Sequence, residues 1–557
     1  MIRKEEWIKS LTKLYGEQEA ALTADKMEER FRRFEGAQSG GGWLTEKDSI
    51  LITYGDTLVK EGEPGFTTLH DFLKKYVGDA ISTVHILPMF PYTSDDGFSV
   101  VDYKEINPGL GDWEDVKKLA ADYHLMFDAV INHISKSSDW FQRYLRCEEP
   151  YKDYFITCDP SADYSTVTRP RALPLLTKFE TKEGEKYVWT TFSEDQIDLN
   201  CKCPEVLIEI LDVLLTYAQN GARLIRLDAV GFLWKELGTA CMHLPNTHEV
   251  IKLVRKVLED YIPGTLLITE TNVPHKDNIS YFGNGKDEAQ LVYQFPLPPL
   301  TMFSLLTGDA GRLTGWAQNL DTPAPGTTYF NFLSSHDGIG VRPTEGILSK
   351  EEQQFLVDSA LRNGGEGSYK DNGDGTKSPY ELNINYQDAL ASPEESDEIR
   401  IKRFLAAETI LLSMQGLPGI YIHSLLGSRN DYYGKSTSGI LRRINREKLQ
   451  IEELEKALEG ESNRRIIFEE LLRRLKIRAA HPAFAPDGPQ RVLSLDKRIF
   501  ALERESLSGE EKITVYINVS GENVKIKNSF ASGLDILSGE KTGAETELKP
   551  YECKWFV

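Results

Sequence analysis

The stretch Gly221-Ala222-Arg223-Leu224-Ile225-Arg226-Leu227-Asp228-Ala229-Val230 reads as an apolar strand that carries two charges near its end. Alternate side chains of a strand point to the same side, so Arg226 is predicted to lie beside Asp228. A neighbouring guanidinium favours the ionised carboxylate, and we expect it to lower the pKa of Asp228. An oriented carboxylate at a strand end suits a covalent nucleophile in sugar chemistry. A structural ion pair is the alternative.

This stretch is one of eight short apolar runs that alternate with amphipathic helical patterns. The helical patterns include Trp113–Tyr123, Glu205–Gln219 and Thr247–Tyr261. Eight such units predict an α/β fold, a parallel (β/α)8 TIM barrel. The runs are Ser49–Tyr54, Val84–Phe90, Leu125–Asn132, Ala222–Val230, Leu266–Glu270, Val292–Leu297, Tyr329–Leu333 and Pro418–His423.

The remaining segments predict insertions and two terminal additions to this barrel. Trp7, Leu11 and Leu14 recur at helical spacing within an N-terminal helical extension, residues 1–45. The barrel would occupy 46–133, 201–341 and 401–485, interrupted by an inserted domain B, 134–200, and an inserted loop subdomain, 342–400. Short alternating strands from Arg491–Ser494 to Tyr551–Val557 predict a C-terminal antiparallel β domain, 486–557.

Glycine-rich runs mark the flexible places of the chain. Ser39-Gly40-Gly41-Gly42 lacks a following Lys-Ser/Thr pair, which favours a linker over a phosphate loop. The runs Asn363–Gly367 and Asp371–Gly375 fall in the second insertion, which we expect to be a mobile gate over the barrel mouth.

Composition narrows the class of protein. The net charge of −21 over 557 residues opposes nucleic acid and anionic membrane surfaces as partners. The chain has no apolar run of about 18 residues and no apolar signal core near Met1, so we expect a cytoplasmic protein without a membrane span. Its six cysteines do not form a disulfide framework, and Cys201 and Cys203 match no common zinc spacing. No metal or other cofactor is predicted, and the oligomeric state stays open, with a homodimer as one alternative.

Three carboxylates end predicted strands four, five and seven: Asp228, Glu270 and Asp337. His133 ends the third strand, and all four side chains would meet at the carboxyl-end mouth of the barrel. Retaining glycosyl transfer needs a nucleophile and a protonated acid/base, roles that suit Asp228 and Glu270. Asp337 would stabilise the oxocarbenium-like transition state. Solvated loop acids with no shared site are the alternative.

Four segments resemble the four signature regions of the α-amylase superfamily, glycoside hydrolase family 13. They are Asp128–His133, Gly221–Val230, Leu267–Thr271 and Ser335–Asp337. The resemblance implies that Asp228 is the nucleophile, Glu270 the acid/base and Asp337 the transition-state stabiliser. It also implies sugar contacts from His133, Arg226 and His336.

Finer features resemble the sucrose phosphorylase branch of this family. In that branch an aspartate and an arginine close the glucose pocket; by position these would be Asp95 and Arg442. An Arg-Pro-Arg motif and a Tyr-Gln pair serve phosphate or acceptor, which implies such roles for Arg169, Tyr380 and Glu381. Glu381 replaces the glutamine, and its carboxylate would repel phosphate unless the loop moves or a proton is shared. Gln196 and Arg342 complete the candidate substrate-binding set.

The chain length and three further strings resemble glucosylglycerate phosphorylases. The strings are Arg169–Thr177, Glu270–His275 and His336–Pro343. The implied reaction is retaining phosphorolysis of 2-O-α-glucosyl-glycerate to α-glucose 1-phosphate and glycerate, with a small glucoside and inorganic phosphate as the only partners and, as in that branch generally, no metal. A sucrose or sucrose 6'-phosphate phosphorylase, an α-glucosidase or transglucosidase, and a non-catalytic barrel are the alternatives.

Overall fold

Eight parallel strands close into a barrel in the order in which they occur along the chain. The computed structural model describes residues 3–37, 41–171, 173–371 and 376–557. The strands are almost entirely buried, as aliphatic strands covered on both faces must be. The predicted (β/α)8 barrel is confirmed. Its strands are β1 Ile50–Thr53, β2 Thr83–Ile86, β3 His124–Ala129, β4 Ala222–Leu227, β5 Leu266–Thr269, β6 Leu291–Tyr293, β7 Thr328–Phe332 and β8 Leu417–Tyr421.

The register of β3, β4 and β5 brings the charged residues to one level. Arg226 pairs with Asp128 on one side and with Ile268 on the other. One residue beyond the strand ends, Asp228 donates its N–H to the Ala129 carbonyl and Glu270 donates to that of Leu227, both at 3.1 Å. Both carboxyl groups therefore emerge at the same end of the barrel.

Helices cover the outside of the barrel, and the sequence explains several of their ends. Asp112 caps Trp113–Asp122 with a capping box, and proline opens Pro204–Gln219 and Pro245–Tyr261. The helices of the barrel and insertions are Gly65–Phe72, Trp113–Asp122, Asp139–Leu145, Pro204–Gln219, Pro245–Tyr261, His275–Ile279, Leu297–Thr307, Gly311–Gln318, Lys350–Arg362, Tyr386–Ala389, Asp397–Ser413, Ile422–Leu425, Tyr432–Ser438, Ile451–Glu459 and Asn463–Ala479.

Two N-terminal helices, α1 (Lys4–Tyr15) and α2 (Glu17–Phe31), pack on the barrel helices. Trp7 is fully buried, its ring 5.9 Å from that of Tyr261, and its indole N–H donates to Asp260 at 2.8 Å. These helices lie within the segment predicted as an extension. Of the predicted linker that follows them, positions 39 and 40 lie outside the described residues.

The first insertion carries a small sheet over the barrel mouth. Its three strands are Thr157–Cys158, Leu176–Thr181 and Gly184–Trp189, and Gln196–Asp198 pairs with His133–Ser135. A buried ion pair joins this insertion to the barrel, because Lys235 contacts Asp198 at 2.6 Å and donates to Asn132 at 2.8 Å.

The second insertion contains a three-stranded antiparallel sheet of Ile339–Gly340, Lys377–Asn383 and Glu366–Asp371. This sheet carries Tyr380 and Glu381. The predicted mobile run Asp371–Gly375 falls mostly on positions 372–375, which lie outside the described residues, and the predicted gating stays a prediction.

The C-terminal region is antiparallel, as predicted. Four strands form its main sheet: Gln490–Leu493, Ile499–Glu505, Lys512–Asn518 and Cys553–Phe556. Val524–Lys527 pairs with Glu545–Leu548, and Gly533–Leu534 with Lys541–Thr542. Two short parallel strands, Leu58–Val59 and Leu449–Gln450, pair beside the barrel. Across the described ranges, no helix is both long and apolar enough to cross a membrane.

Candidate active site

A pocket with an empty volume of about 1170 Å³, which includes its opening to solvent, lies at the carboxyl-end mouth of the barrel. This end of such a barrel is where active sites are built. Every predicted site residue except Arg169 and Arg342 lines it: Asp95, His133, Gln196, Arg226, Asp228, Glu270, His336, Asp337, Tyr380, Glu381 and Arg442.

Arg226 is the centre of the pocket's electrostatics. Its Nη1 donates to Asp228 Oδ1 at 2.8 Å and also to Asp128, whose other oxygen bonds to the His85 ring at 2.7 Å. Its Nη2 lies 3.8 Å from Glu270 Oε2. One guanidinium is thus shared among three carboxyl groups.

Burial changes the proton affinity of the two central carboxyls. Burial raises the pKa of Asp228 to about 8, and the nearby charge of Glu270 adds to this, against the lowering effect of Arg226. Arg226 lowers the pKa of Asp228 as expected, but the expectation that the resulting pKa lies below its ordinary value is wrong, because burial outweighs the shared guanidinium. Burial also raises the pKa of Glu270, whose Oε2 accepts the Ala229 N–H at 3.0 Å.

Asp337 has the opposite environment. Burial alone would raise its pKa, but the Arg442 guanidinium, 2.7 Å away, together with the charges of Arg226 and Arg446 and the neighbouring His336, outweighs burial and holds the pKa well below its usual range. Asp337 is therefore ionised, as a group that stabilises positive charge must be.

Glu381 is paired rather than free to repel an anion. Arg442 donates to both of its carboxylate oxygens, at 2.9 and 2.7 Å, and the Gly338 N–H donates to it at 2.9 Å. A Cβ at Gly338 would lie 2.4 Å from Glu381 Cγ, so this close approach requires glycine. The replacement of glutamine by Glu381 is thus accompanied by a bidentate arginine contact.

The predicted clamp of Asp95 with Arg442 is not a direct ion pair. Asp95 instead accepts from Arg171 at 3.1 Å and from Gln196 at 3.4 Å, while Arg442 is held by Asp337 and Glu381. Charge neutralisation by these arginines lowers the pKa of Asp95 despite its burial. Both partners still line the pocket.

The two predicted histidines are neutral. Burial lowers the pKa of His133 to about 4 and that of His336 to about 3. His133 Nε2 bonds to the Phe98 carbonyl at 2.9 Å, and the His336 ring stacks on Phe98 with centroids 4.9 Å apart. These groups present an apolar face and hydrogen-bonding edges, which a sugar ring requires.

Several of the pocket's lining residues were missed by sequence reasoning as site residues, among them Arg171, Phe192 and Asn272. Arg171 belongs to the Arg-Pro-Arg motif, so its role could have been found there. Phe192 lies in an insertion without a strong local pattern. Asn272 lies two residues after Glu270, and its closeness to that strand end could have indicated that it lines the site.

Arg169 and Arg342 do not line the pocket. Arg169 is half-buried, its buried Nε has no hydrogen-bond partner among the described residues, and burial lowers its pKa. Arg342 begins the 3-10 turn Arg342–Thr344, two residues after the lining residue Gly340.

No group of three or more His, Cys, Asp or Glu side chains in the described segments is arranged to hold a metal ion. The six cysteines, all of which are described, are free thiols.

Comparison with known proteins agrees with this arrangement. Residues 64–338 match the family described as "Alpha amylase, catalytic domain". The chain is 50% identical to a glucosylglycerate phosphorylase of Allomeiothermus silvanus, covering 98% of this chain and 97% of that protein. It is 44% identical to a glucosylglycerate phosphorylase of Escherichia coli K12, covering 98% of each chain.

A solved structure, the sucrose 6F-phosphate phosphorylase from Thermoanaerobacter thermosaccharolyticum, superposes with a TM-score of 0.76 at 26% identity. The match covers 91% of this chain and 99% of that one. Together with the three carboxyl groups at the barrel mouth, these likenesses show that the chain belongs to the α-amylase family, glycoside hydrolase family 13, in the branch that contains the glucosylglycerate and sucrose phosphorylases.

Proposed function

We propose that this protein is a retaining phosphorylase that converts 2-O-α-glucosyl-glycerate and inorganic phosphate into α-glucose 1-phosphate and glycerate. The observation that carries this proposal is the set of Asp228, Glu270 and Asp337 in one pocket of a chain 44–50% identical to glucosylglycerate phosphorylases. The geometry supports a double displacement.

The sharing of Arg226 supports a division of roles between the two central carboxyls. Two neighbouring carboxyls with raised pKa values hold a proton between them at neutral pH. Arg226 donates to Asp228 at 2.8 Å but lies 3.8 Å from Glu270, so we assign the proton to Glu270. Its Oε2 is occupied by the Ala229 N–H, which leaves Oε1 to carry that proton.

The proposed reaction then follows in two steps. Asp228 attacks the anomeric carbon while Glu270 protonates the departing glycerate oxygen, and a β-glucosyl ester of Asp228 forms. Ionised Asp337 stabilises the positive charge that develops on the sugar. Phosphate then attacks from the vacated side, breaks the ester, and returns the configuration to α.

The deciding experiment is phosphorolysis of three substrates side by side: 2-O-α-glucosyl-glycerate, sucrose and sucrose 6'-phosphate. Glucose 1-phosphate is assayed with and without inorganic phosphate. We expect release from glucosyl-glycerate only, and only with phosphate. Release from a sucrose compound instead would keep the mechanism and overturn the acceptor.

A hydrolase or transglucosidase is the competing enzyme class. It would release free glucose, or transfer glucose to another sugar, at a rate that does not depend on phosphate. The same assay separates it, since glucose and glucose 1-phosphate are measured in one sample.

We also propose a cytoplasmic location. Six free thiols in a chain of 557 residues support a reducing compartment. Fractionation of cells that express the natural gene would test it.

A further inference from the structure

The arginines that line the pocket are already compensated by the pocket's own carboxylates. Arg226 pairs with Asp228 and Asp128. Arg442 pairs with Asp337 and Glu381, and Arg171 pairs with Asp95. An additional anion, such as the carboxylate of a hydroxy acid, therefore requires a cation that these groups do not neutralise.

Arg342 is such a cation. Its half-buried side chain forms no hydrogen bond or ion pair with the part of the chain that the structure describes. Its backbone is nevertheless fixed: the preceding residue, Val341, donates its N–H to the Tyr380 carbonyl at 3.0 Å, and the 3-10 turn Arg342–Thr344 follows. A charged group on a fixed backbone without an internal partner is available to a ligand.

The backbone that leads into Arg342 borders the pocket beside Asn272. The segment Gly338–Gly340 lines the pocket, and a Cβ at Gly340 would lie 3.3 Å from Asn272 Nδ2 and 3.5 Å from Pro343 Cδ. Asn272 is two residues after Glu270 and also lines the pocket. Arg342, two residues after Gly340, therefore follows a segment that lies beside the loop after the proposed acid/base.

The chemistry of the substrate requires a cation on this side. In 2-O-α-glucosyl-glycerate the carboxylate carbon is bonded directly to the carbon that bears the glycosidic oxygen. Any anchor for this carboxylate must therefore lie close to the bond that Glu270 protonates. The Asn272 amide, whose buried Oδ1 has no hydrogen-bond partner in the described ranges, can bind a hydroxyl of the same group.

His243, which feels the charge of Arg342, does not compete for this charge. Burial lowers the pKa of His243, and the positive charge of Arg342 adds to the lowering, so His243 is neutral beside it. The negative charge of Asp277 acts on His243 in the opposite direction.

We infer that Arg342 is the specificity-determining contact for the carboxylate of the departing hydroxy acid, an inference that rests on the proposed function. Arg169, a half-buried arginine whose Nε has no hydrogen-bond partner among the described residues, is then left for phosphate, one of the two roles that the resemblance implies for it. Glycerate and phosphate, which would occupy the same side of the pocket one after the other, would then each bind to a different arginine.

The test compares three reactions of R342Q, R342K and the wild-type enzyme. Synthesis from glucose 1-phosphate is measured with glycerate and with glycerol, which has CH2OH in place of the carboxylate. Glucose release from glucose 1-phosphate in the presence of arsenate reports the sugar and phosphate sites without any hydroxy acid. Arg362→Gln, an exposed arginine of the same insertion, is the matched control.

We expect R342Q to raise KM for glycerate about 10- to 100-fold and to leave the glycerol and arsenate reactions within about twofold of wild type, since one charge-assisted contact is lost. The KM of R342K for glycerate should lie between those of wild type and R342Q, because lysine keeps the positive charge but lacks the planar guanidinium that binds a carboxylate through two hydrogen bonds. Equal losses with glycerate and glycerol, or a loss of the arsenate reaction, would overturn the inference.

The failure of the proposed function would look different. Wild-type enzyme that performs the arsenate reaction but does not use glycerate would overturn the proposed acceptor, and this inference with it, before any variant is compared. Wild-type use of glycerate with an unchanged KM in R342Q would overturn the inference alone.

Discussion

Arg226 contacts Asp128 and Asp228 and lies close to Glu270, and this sharing decides which carboxyl group carries a proton. The roles of Asp228 and Glu270 can be separated with α-glucosyl fluoride, because fluoride leaves without protonation. We expect E270Q to lose about 10²- to 10⁴-fold in phosphorolysis of the glucoside but to react with the fluoride at a much smaller loss. D228N should lose both reactions, since no glucosyl ester can form.

Initial rates of glucose 1-phosphate formation from the glucoside and from the fluoride, with phosphate present, measure this difference. An E270Q enzyme that fails equally with both donors would contradict the assignment of Glu270 as the acid.

The shared proton also predicts the pH profile. The pKa of Asp228 is raised to about 8 by burial, so the pair keeps its proton below that pH and loses it as the pH rises through it. Phosphorolysis of the glucoside should therefore decline on the alkaline side, near pH 8. The first step with α-glucosyl fluoride, followed by fluoride release, should not decline there. If the rates with both donors declined in parallel, the loss of activity at alkaline pH would come from the titration of another group.

At the scale of elements, Lys235 holds the first insertion to the barrel. It is buried, contacts Asp198 at 2.6 Å and donates to Asn132, whose Nδ2 bonds to His133 Nδ1 at 3.3 Å. Removing one member of a buried pair leaves the other charge uncompensated. We expect K235M to lower the free energy of unfolding by about 3–5 kcal/mol and to raise KM for the glucoside, because His133 loses its orientation.

Urea unfolding and initial rates check the effect of K235M, and K202M at an exposed lysine is the matched control. Adding D198N to K235M should recover part of the stability, since the buried charge is gone. A double variant as unstable as the sum of the single variants would show that the pair does not interact.

The same scale shows what the sequence could predict about strands and helices. Short apolar runs predicted all eight barrel strands, because a parallel strand is buried on both faces. The predicted run Val292–Leu297 was too long: β6 ends at Tyr293, since Pro298 and Pro299 lie in the first turn of the next helix.

Which site residues pair with each other was harder to predict from the sequence than where each residue lies. Residues at strand ends could be placed because the barrel fixes them. The ion pair of Asp95 with Arg171 joins two long loops, whose paths depend on contacts far apart in the sequence. The same holds for the bidentate contact of Arg442 with Glu381.

At the scale of the whole molecule, a buried glutamic acid makes the free energy of unfolding depend on pH. Glu408, on the helix Asp397–Ser413, is 1% exposed. Burial raises its pKa to about 8. The folded protein therefore keeps this proton up to a pH at which the unfolded chain has lost it, and stability falls as the pH rises from about 4.5 to about 8.

We expect E408Q to remove this part of the pH dependence, up to about 4 kcal/mol between the two ends of that range. Urea unfolding of wild type and E408Q at pH 5 and pH 8.5 measures it, with E394Q at an exposed position as the control. An identical slope of stability against pH in E408Q and wild type would exclude Glu408 as its source.

The N-terminal helices also belong to the whole molecule. Trp7 is fully buried against Tyr261, so W7A should cost about 3–5 kcal/mol of unfolding free energy by leaving a cavity. L22A, at a position 51% exposed on α2, should cost little. Thermal unfolding of both variants checks this; a Tm of W7A equal to that of L22A would mean that the helices dock only loosely.

Asp228 is buried, with 8% of its surface exposed, and this burial affects how much of the free energy of the glycosidic bond the reaction retains. A sugar ester formed on this carboxylate is shielded from bulk water, and phosphate is its intended acceptor. The free energy of the glycosidic bond is then retained in a sugar phosphate, with no nucleoside triphosphate consumed. Because the proposed reaction transfers the glucosyl group between two acceptors, its direction depends on the ratio of phosphate to glycerate.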